Sequence, residues 1–170
     1  CIRDRNFRVI AGGARRERLE QQGVTINGEN CHFQIVSPGE QTTPADLVIV
    51  TVKFGGLEQT IQDIAGQVGE NTIILPFLNG ISAEEMIAKV YGWEHVIYGM
   101  VRRAVLMQNG VCTYDPNLGT YYFGEANNHA ISDRVARVQE LFDRAGLHYE
   151  NPDDMIRICL LYTSPSPRDR

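Results

Sequence analysis

The run Asp46-Leu47-Val48-Ile49-Val50-Thr51-Val52 is apolar without interruption from Leu47 to Val50. A strand with one wet face alternates apolar and polar residues. One so uniformly built from Val, Ile and Leu fits a strand covered on both faces, as in parallel sheets flanked by helices. Thr72-Ile73-Ile74-Leu75-Pro76-Phe77 and Val96-Ile97-Tyr98-Gly99-Met100-Val101 repeat the pattern. Between the first two, Leu57, Ile61, Ile64 and Val68 recur at helical spacing and predict one amphipathic helix over 57–68, ended by Gly69. Ser82-Ala83-Glu84-Glu85 reads as a capping box opening a second helix that runs to about Val90, and capping with the helix dipole accounts for both glutamates. Strand, helix, strand, helix, strand is the βαβαβ order of a doubly wound sheet with right-handed crossovers.

The flanking segments extend this pattern. Phe7-Arg8-Val9-Ile10-Ala11 predicts a strand leaving into Gly12-Gly13, followed by a short charged helix over 15–22. Asn27-Gly28 predicts a hairpin-like turn between strands at 24–26 and 31–36. Over 102–125 polar and apolar residues mix, with turn signals at Asn109-Gly110 and Asn117-Leu118-Gly119 and strand-favouring Tyr114, Tyr121, Tyr122 and Phe123. Two or three antiparallel strands are expected there. Ser132 caps a helix whose Val135, Val138, Leu141, Phe142 and Ala145 share one face before Gly146, and 147–150 reads as an edge strand. The fold class expected is α/β: a partial Rossmann-type doubly wound parallel sheet with a small antiparallel extension.

Both ends differ in character from the interior. Residues 159–164, Cys-Leu-Leu-Tyr-Thr-Ser, can be back-translated to a transposase end sequence used in library preparation, and 1–4, Cys-Ile-Arg-Asp, to its reverse complement. Residues 1–5 and 159–170 are therefore expected to be adapter-like and foreign, leaving 6–158 as the natural segment. The whole chain of 170 residues carries 16 Lys+Arg against 21 Asp+Glu, a net of -5, which argues against nucleic acid or an anionic membrane as the main partner. With no apolar run of about 18 residues and no secretory signal pattern, a cytoplasmic protein is expected. Of four cysteines only Cys31 and Cys112 lie in the interior, and His32, His95, His129 and His148 are scattered, so neither a disulfide framework nor a metal site is expected.

Ligands of a doubly wound sheet bind at the carboxyl ends of its strands. Lys53 and Asn79-Gly80 stand at two such ends. An ammonium there can neutralise a phosphate or carboxylate, and an amide can donate to and accept from a carboxamide or carbonyl. The same residues also fit a solvated strand end and a simple turn. Arg15 and Arg16, with Arg18, follow Gly12-Gly13 at a helix N-terminus, where anions are favoured, though a solvated helix face fits them equally.

Taken in order, Val9-Ile10-Ala11-Gly12-Gly13-Ala14-Arg15-Arg16-Glu17-Arg18-Leu19-Glu20, then Ala45 through Lys53, then Leu78-Asn79-Gly80, resemble the cofactor domain of ketopantoate reductases (2-dehydropantoate 2-reductases). Gly99, Ala104, Gly110 and Gly124-Glu125 resemble the same family's stretch after its sixth strand. The resemblance implies reduction of 2-dehydropantoate to pantoate with NADPH, on the route to pantothenate and coenzyme A. It implies Asn79 beside nicotinamide and substrate, and Lys53 and Gly80 lining the cofactor cleft. The family's glycine-rich phosphate loop would precede Phe7, and its lysine acid would lie in a helix starting near Asp153, so no catalytic acid is assigned within this chain. The family's usual 2′-phosphate arginine falls on Gly12, leaving Arg15 or Arg16 to replace it. Two alternatives remain: a reductase of another 2-keto acid, and a nucleotide-binding module without chemistry.

Overall fold

The computed structural model describes residues 7–108 and 111–161. Two parallel strand pairs form its base. Strand β1 (Arg8–Ile10) leads into helix α1 (Gly13–Gln22), then β2 (Val24–Ile26), β3 (Glu29–Cys31) and β4 (Gln34–Val36), and β1 pairs in parallel with β4. Strand β5 (Leu47–Val50) pairs in parallel with β6 (Ile73–Pro76), from Leu47 opposite Ile73 to Val50 opposite Pro76. Helices α2 (Leu57–Asp63) and α3 (Ser82–Tyr91) cover one face of this second pair, where Val48, Val50 and Ile74 pack with Leu57, Ile61, Ile87 and Ala88. Ile73 and Leu75 point the other way, as side chains two apart on a strand do, and meet Val135, Val138 and Phe142 of helix α4 (Asp133–Arg144). Strand β6 is buried on both faces, as its sequence predicts.

The sheet then changes direction. A single parallel bridge joins Ile74 to Val96, after which β7 (Tyr98–Arg102) pairs antiparallel with β10 (Thr120–Gly124). Strand β11 (Tyr149–Glu150) adds in parallel at the edge of β10, and helix α5 (Met155–Leu161) seats Met155 and Cys159 against Met100 and Tyr122. The β2–β3 hairpin turns at Asn27 (φ 48°) and Gly28 (φ 86°), the positive-φ pair that suits a right-twisted ribbon.

Several expectations are corrected. The antiparallel strands expected over 102–125 form as β8 (Leu106–Gln108), β9 (Val111–Thr113) and β10, but β10 pairs with β7, so the third strand of the expected parallel sheet carries an antiparallel neighbour and the sheet is mixed. Strand β5 is not covered along its whole length on both faces: Leu47 packs with the cluster that α4 joins, whereas Ile49, two residues on along the same face, is 44% exposed. The strand expected over 31–36 divides into β3 and β4, which pair in different sheets. The antiparallel pair of β8 with β9 is joined to the hairpin, β9 running parallel to β2. The helix expected over 57–68 ends at Asp63 and tightens into a 3-10 turn at Ala65–Gln67. There a Cβ on Gly66 would stand 2.1 Å from the Glu40 carbonyl oxygen, and Gln67 bonds that same carbonyl and Thr42.

The capping box also fails to form. Ile81, packed beside Met100, takes the N-cap position, so Ser82 becomes the first helical residue and no side chain caps the helix. Ser132 does cap α4, its Oγ accepting from the Val135 N–H. Residues 159–161 form the last part of α5, and 1–5, 162–170 and the Asn109-Gly110 turn lie outside the described residues.

One polar clasp locks these layers together. Arg134 of α4 donates Nε and Nη2 to the Glu125 carboxylate and Nη1 to the carbonyls of Trp93 and Glu94, 2.7 Å from each. Arg134 holds the Glu125 carboxyl below the usual carboxylate range, with Ser132 helping. Both side chains are about three-quarters buried, so removing one strands the other. Arg134→Ala is expected to cost about 2 kcal/mol, and Arg134→Lys to recover only part because it cannot bridge both carboxylate oxygens. Urea unfolding midpoints at neutral pH measure both.

Candidate functional site

The carboxyl ends of β5 and β6 are level with each other, and this register makes the site. Val50 lies opposite Pro76, and the Phe77 N–H donates to the Val50 carbonyl at 2.8 Å. Lys53 lies three residues beyond Val50 and Asn79 three beyond Pro76, so in-register parallel strands deliver both to one rim. Val52, Lys53, Phe54, Phe77, Leu78 and Asn79 line a cleft of ≈ 310 Å³ there.

Each side chain is placed by a local device. Lys53 precedes a 3-10 turn over Phe54–Gly56, closed by the Gly56 N–H donating to the Lys53 carbonyl at 2.8 Å. Asn79 precedes Gly80, whose φ of 87° turns the chain into α3 and would strain any residue with a Cβ. Leu78 is buried against the α2–α3 core and fixes the loop from below. Lys53 and Asn79 themselves are exposed, and the remaining lining is apolar. A cation and an amide on an apolar floor can hold a small ligand with an anionic head, a hydrogen-bonding carbonyl and an apolar body.

Arg15 and Arg16 lie elsewhere, on α1, and do not line the cleft. Arg16 is held by Glu20 at 2.7 Å and by Ser37 at 2.5 Å; Arg15 is exposed in the first turn. A larger cavity, ≈ 420 Å³, is bordered by Asp154, Ile156, Arg157, Leu160 and Leu161. Among the described residues it shares none with the Lys53–Asn79 cleft and is bordered by Asp154 and the helix α5 that follows it. Among the described residues no group of three His, Cys, Asp or Glu side chains is placed to hold a metal ion, and no helix is long and apolar enough to cross a membrane.

Two features escape the sequence reading. Phe54 and Phe77 form aromatic walls of the cleft; their positions beside Lys53 and Asn79 at strand ends were the available signal. Glu84 is fully buried, with its Oε1 facing the Gly99 N–H at 3.5 Å and its Oε2 without a partner among the described residues. Burial pushes its carboxyl up to about 7. Its spacing from Ile87 and Ala88 puts it on the apolar face of α3, which the capping reading overlooked.

Comparison with known proteins places the chain in a family. Residues 3–128 match the ketopantoate reductase PanE/ApbA family. The chain is 30% identical over 133 residues to the uncharacterized oxidoreductase YkpB of Bacillus subtilis, covering 75% of this chain and 43% of that protein. It is 32% identical over 85 residues to a 2-dehydropantoate 2-reductase of Streptococcus pyogenes, covering 48% of this chain and 28% of that protein. In fold it is similar to the 2-dehydropantoate 2-reductase of Porphyromonas gingivalis (TM-score 0.72, 24% identity, 89% of this chain and 55% of that one). It is also similar to a D-mandelate dehydrogenase in complex with NADH and anilino(oxo)acetate (TM-score 0.71, 24% identity, 88% of this chain and 50% of that one). The chain thus spans about half the length of these solved structures and less than half of the curated relatives. With the family match running across most of the sequence, the chain belongs to the ketopantoate reductase PanE/ApbA family.

Proposed function

We propose that the chain is the cofactor-domain part of an NADPH-dependent reductase that converts 2-dehydropantoate to pantoate, and that it is inactive as it stands. The observation that carries this reading is the convergence of Lys53 and Asn79 on one cleft at level strand ends. The donor set fits a nicotinamide cofactor with a 2-keto acid: the Asn79 amide can meet a carboxamide or keto oxygen, the Lys53 ammonium a carboxylate or phosphate, and Leu78 with Phe77 a planar ring. When bound, the nicotinamide supplies the hydride. The chain's own residues orient the two ligands and exclude water from the apolar floor.

Reduction of a carbonyl also requires a proton, and in this reading Lys53 and Asn79 are occupied in binding and orienting the ligands. We assign that proton to a helical lysine beyond this segment, and the pyrophosphate to a glycine-rich turn upstream of Phe7. For the 2′-phosphate, Arg15 is the candidate, because Arg16 is engaged by Glu20 and Ser37. Reduction of a different 2-keto acid with NADH is the second reading, favoured by the fold similarity to the D-mandelate dehydrogenase complex.

The DNA flanking both ends of the natural gene tests the assignment. Upstream codons for a strand-turn-helix of GxGxxG type and downstream codons for a helical lysine are expected. Purified full-length protein should then oxidise NADPH with 2-dehydropantoate. Oxidation of NADH with other 2-keto acids would establish the second reading, and cofactor binding with no turnover of any 2-keto acid would overturn both.

A further inference from the structure

The cleft has an aromatic ring at its mouth that the proposed reduction leaves without a role. Phe54 is 57% exposed although it lines the same cavity as Lys53 and Asn79. The other aromatic wall, Phe77, is partly buried and anchored, its ring 5.6 Å from Tyr121, which meets Phe142 edge-on at 5.4 Å. Phe54 stands at the start of the Phe54–Gly56 turn, and a Cβ added at Gly55 or Gly56 would meet no atom within 4 Å. The ring therefore sits on a turn that stands clear of its surroundings. With Val52, Phe77 and Leu78 it makes four of the six lining residues apolar.

We propose that Phe54 is a specificity-determining wall, selecting 2-keto acids with a bulky apolar or aromatic substituent over small or doubly charged ones. This rests on the reading of Lys53 and Asn79 as the carboxylate-binding and carbonyl-binding groups. Once those two hold the polar end of a 2-keto acid, its substituent extends along the apolar lining. A branched or aromatic substituent covers the Phe54 ring and gains the area removed from water. The methyl of pyruvate is too short to cover it. The second carboxylate of oxaloacetate would lose its hydration against an apolar surface with no partner there. A cleft of ≈ 310 Å³ has room for an acid carrying a single ring.

Titration of the 170-residue chain with phenylpyruvate, pyruvate and nicotinamide, followed by two-dimensional amide NMR, tests this on the wild type, Phe54→Ala and Lys53→Ala. Because Phe54 is exposed, its truncation leaves the core intact. Phe54→Ala is expected to weaken phenylpyruvate about tenfold while pyruvate changes less than twofold, and Phe54→Leu to restore part of the difference. Lys53→Ala should weaken both acids together. Equal loss of both acids in Phe54→Ala, or no loss, overturns the proposal. Loss of nicotinamide binding alone also overturns it, assigning the ring to the cofactor. If Lys53→Ala leaves acid binding unchanged, or neither acid shifts the wild-type resonances of the cleft, the reading of the site itself fails and the proposal with it.

Discussion

Asn79→Ala in the full-length gene product is expected to lower kcat/KM toward its 2-keto acid by 10² to 10³, roughly the cost of removing one preorganised donor from a developing oxyanion. Most of the loss should fall on kcat. The amide would meet the carbonyl oxygen most strongly as negative charge grows on it, an interaction stronger in the transition state than in the ground state. Asn79→Asp should be no better, since a carboxylate accepts but cannot donate. Lys53→Ala should act chiefly on KM, because the ammonium pairs with a charge that the ligand carries throughout. Both side chains are exposed and lie outside the helices and strands, so neither change should alter the unfolding free energy by more than about 0.5 kcal/mol. Steady-state kinetics beside a thermal melt checks all of this. Unchanged kcat/KM in Asn79→Ala would remove the amide from the reaction, and an equal rise in KM for both variants would make the cleft a binding site only.

The register of β5 and β6 explains why so much of this site is legible in the sequence. Strand periodicity is local, and the runs ending at Val52 and Phe77 announce their own carboxyl ends. Once both are read as neighbouring parallel strands, Lys53 and Asn79 fall on the same rim without any knowledge of side-chain geometry. Helix α4 is equally readable, since its cap, its apolar face and its terminal glycine all agree.

What the sequence hides is set by partners distant along the chain. The break in the helix after Asp63 follows from a contact between Gly66 and Glu40, and no local propensity encodes it. Ile49 looks like any other core residue of its strand, yet it is exposed while Leu47 on the same face packs with the α4 cluster. The pairing of β2 with β9 joins residues more than eighty positions apart, here Ile26 with Cys112. Arg16 reads equally as an anion-binding cation or part of a solvated helix face until Ser37 is found beside it. In each case the local pattern is sound, and a tertiary contact decides the outcome.

Glu84 carries the other large expected effect, a dependence of stability on pH. Its side chain is wedged beneath β7, facing the Gly99 N–H, with Tyr98 on that strand, Glu85 on its own helix and Cys159 on α5 as neighbouring titratable groups. Burial dominates and raises its carboxyl from 4.5 to about 7; the Glu85 charge adds to this, while backbone hydrogen bonds oppose it. The fold therefore prefers the protonated acid. Its contribution is fully present below pH 4.5 and is lost as pH rises through about 7, amounting to about 3 kcal/mol for a shift of this size. Glu125 works in the opposite sense: its lowered carboxyl stabilises the fold above the ordinary carboxylate range and loses that contribution in acid. The two are separated by comparing the wild type with Glu84→Gln, which keeps the shape and removes the charge. Chemical denaturation from pH 5 to pH 8 should show nearly equal stability at the acid end and a variant more stable by about 3 kcal/mol at the alkaline end. Because Glu84 sits in the first turn of α3, directly after the Asn79-Gly80 loop, the wild-type loop should lose amide-exchange protection over the same interval and the variant should retain it. Parallel stability curves for the two proteins would show that the buried carboxyl does not titrate with folding.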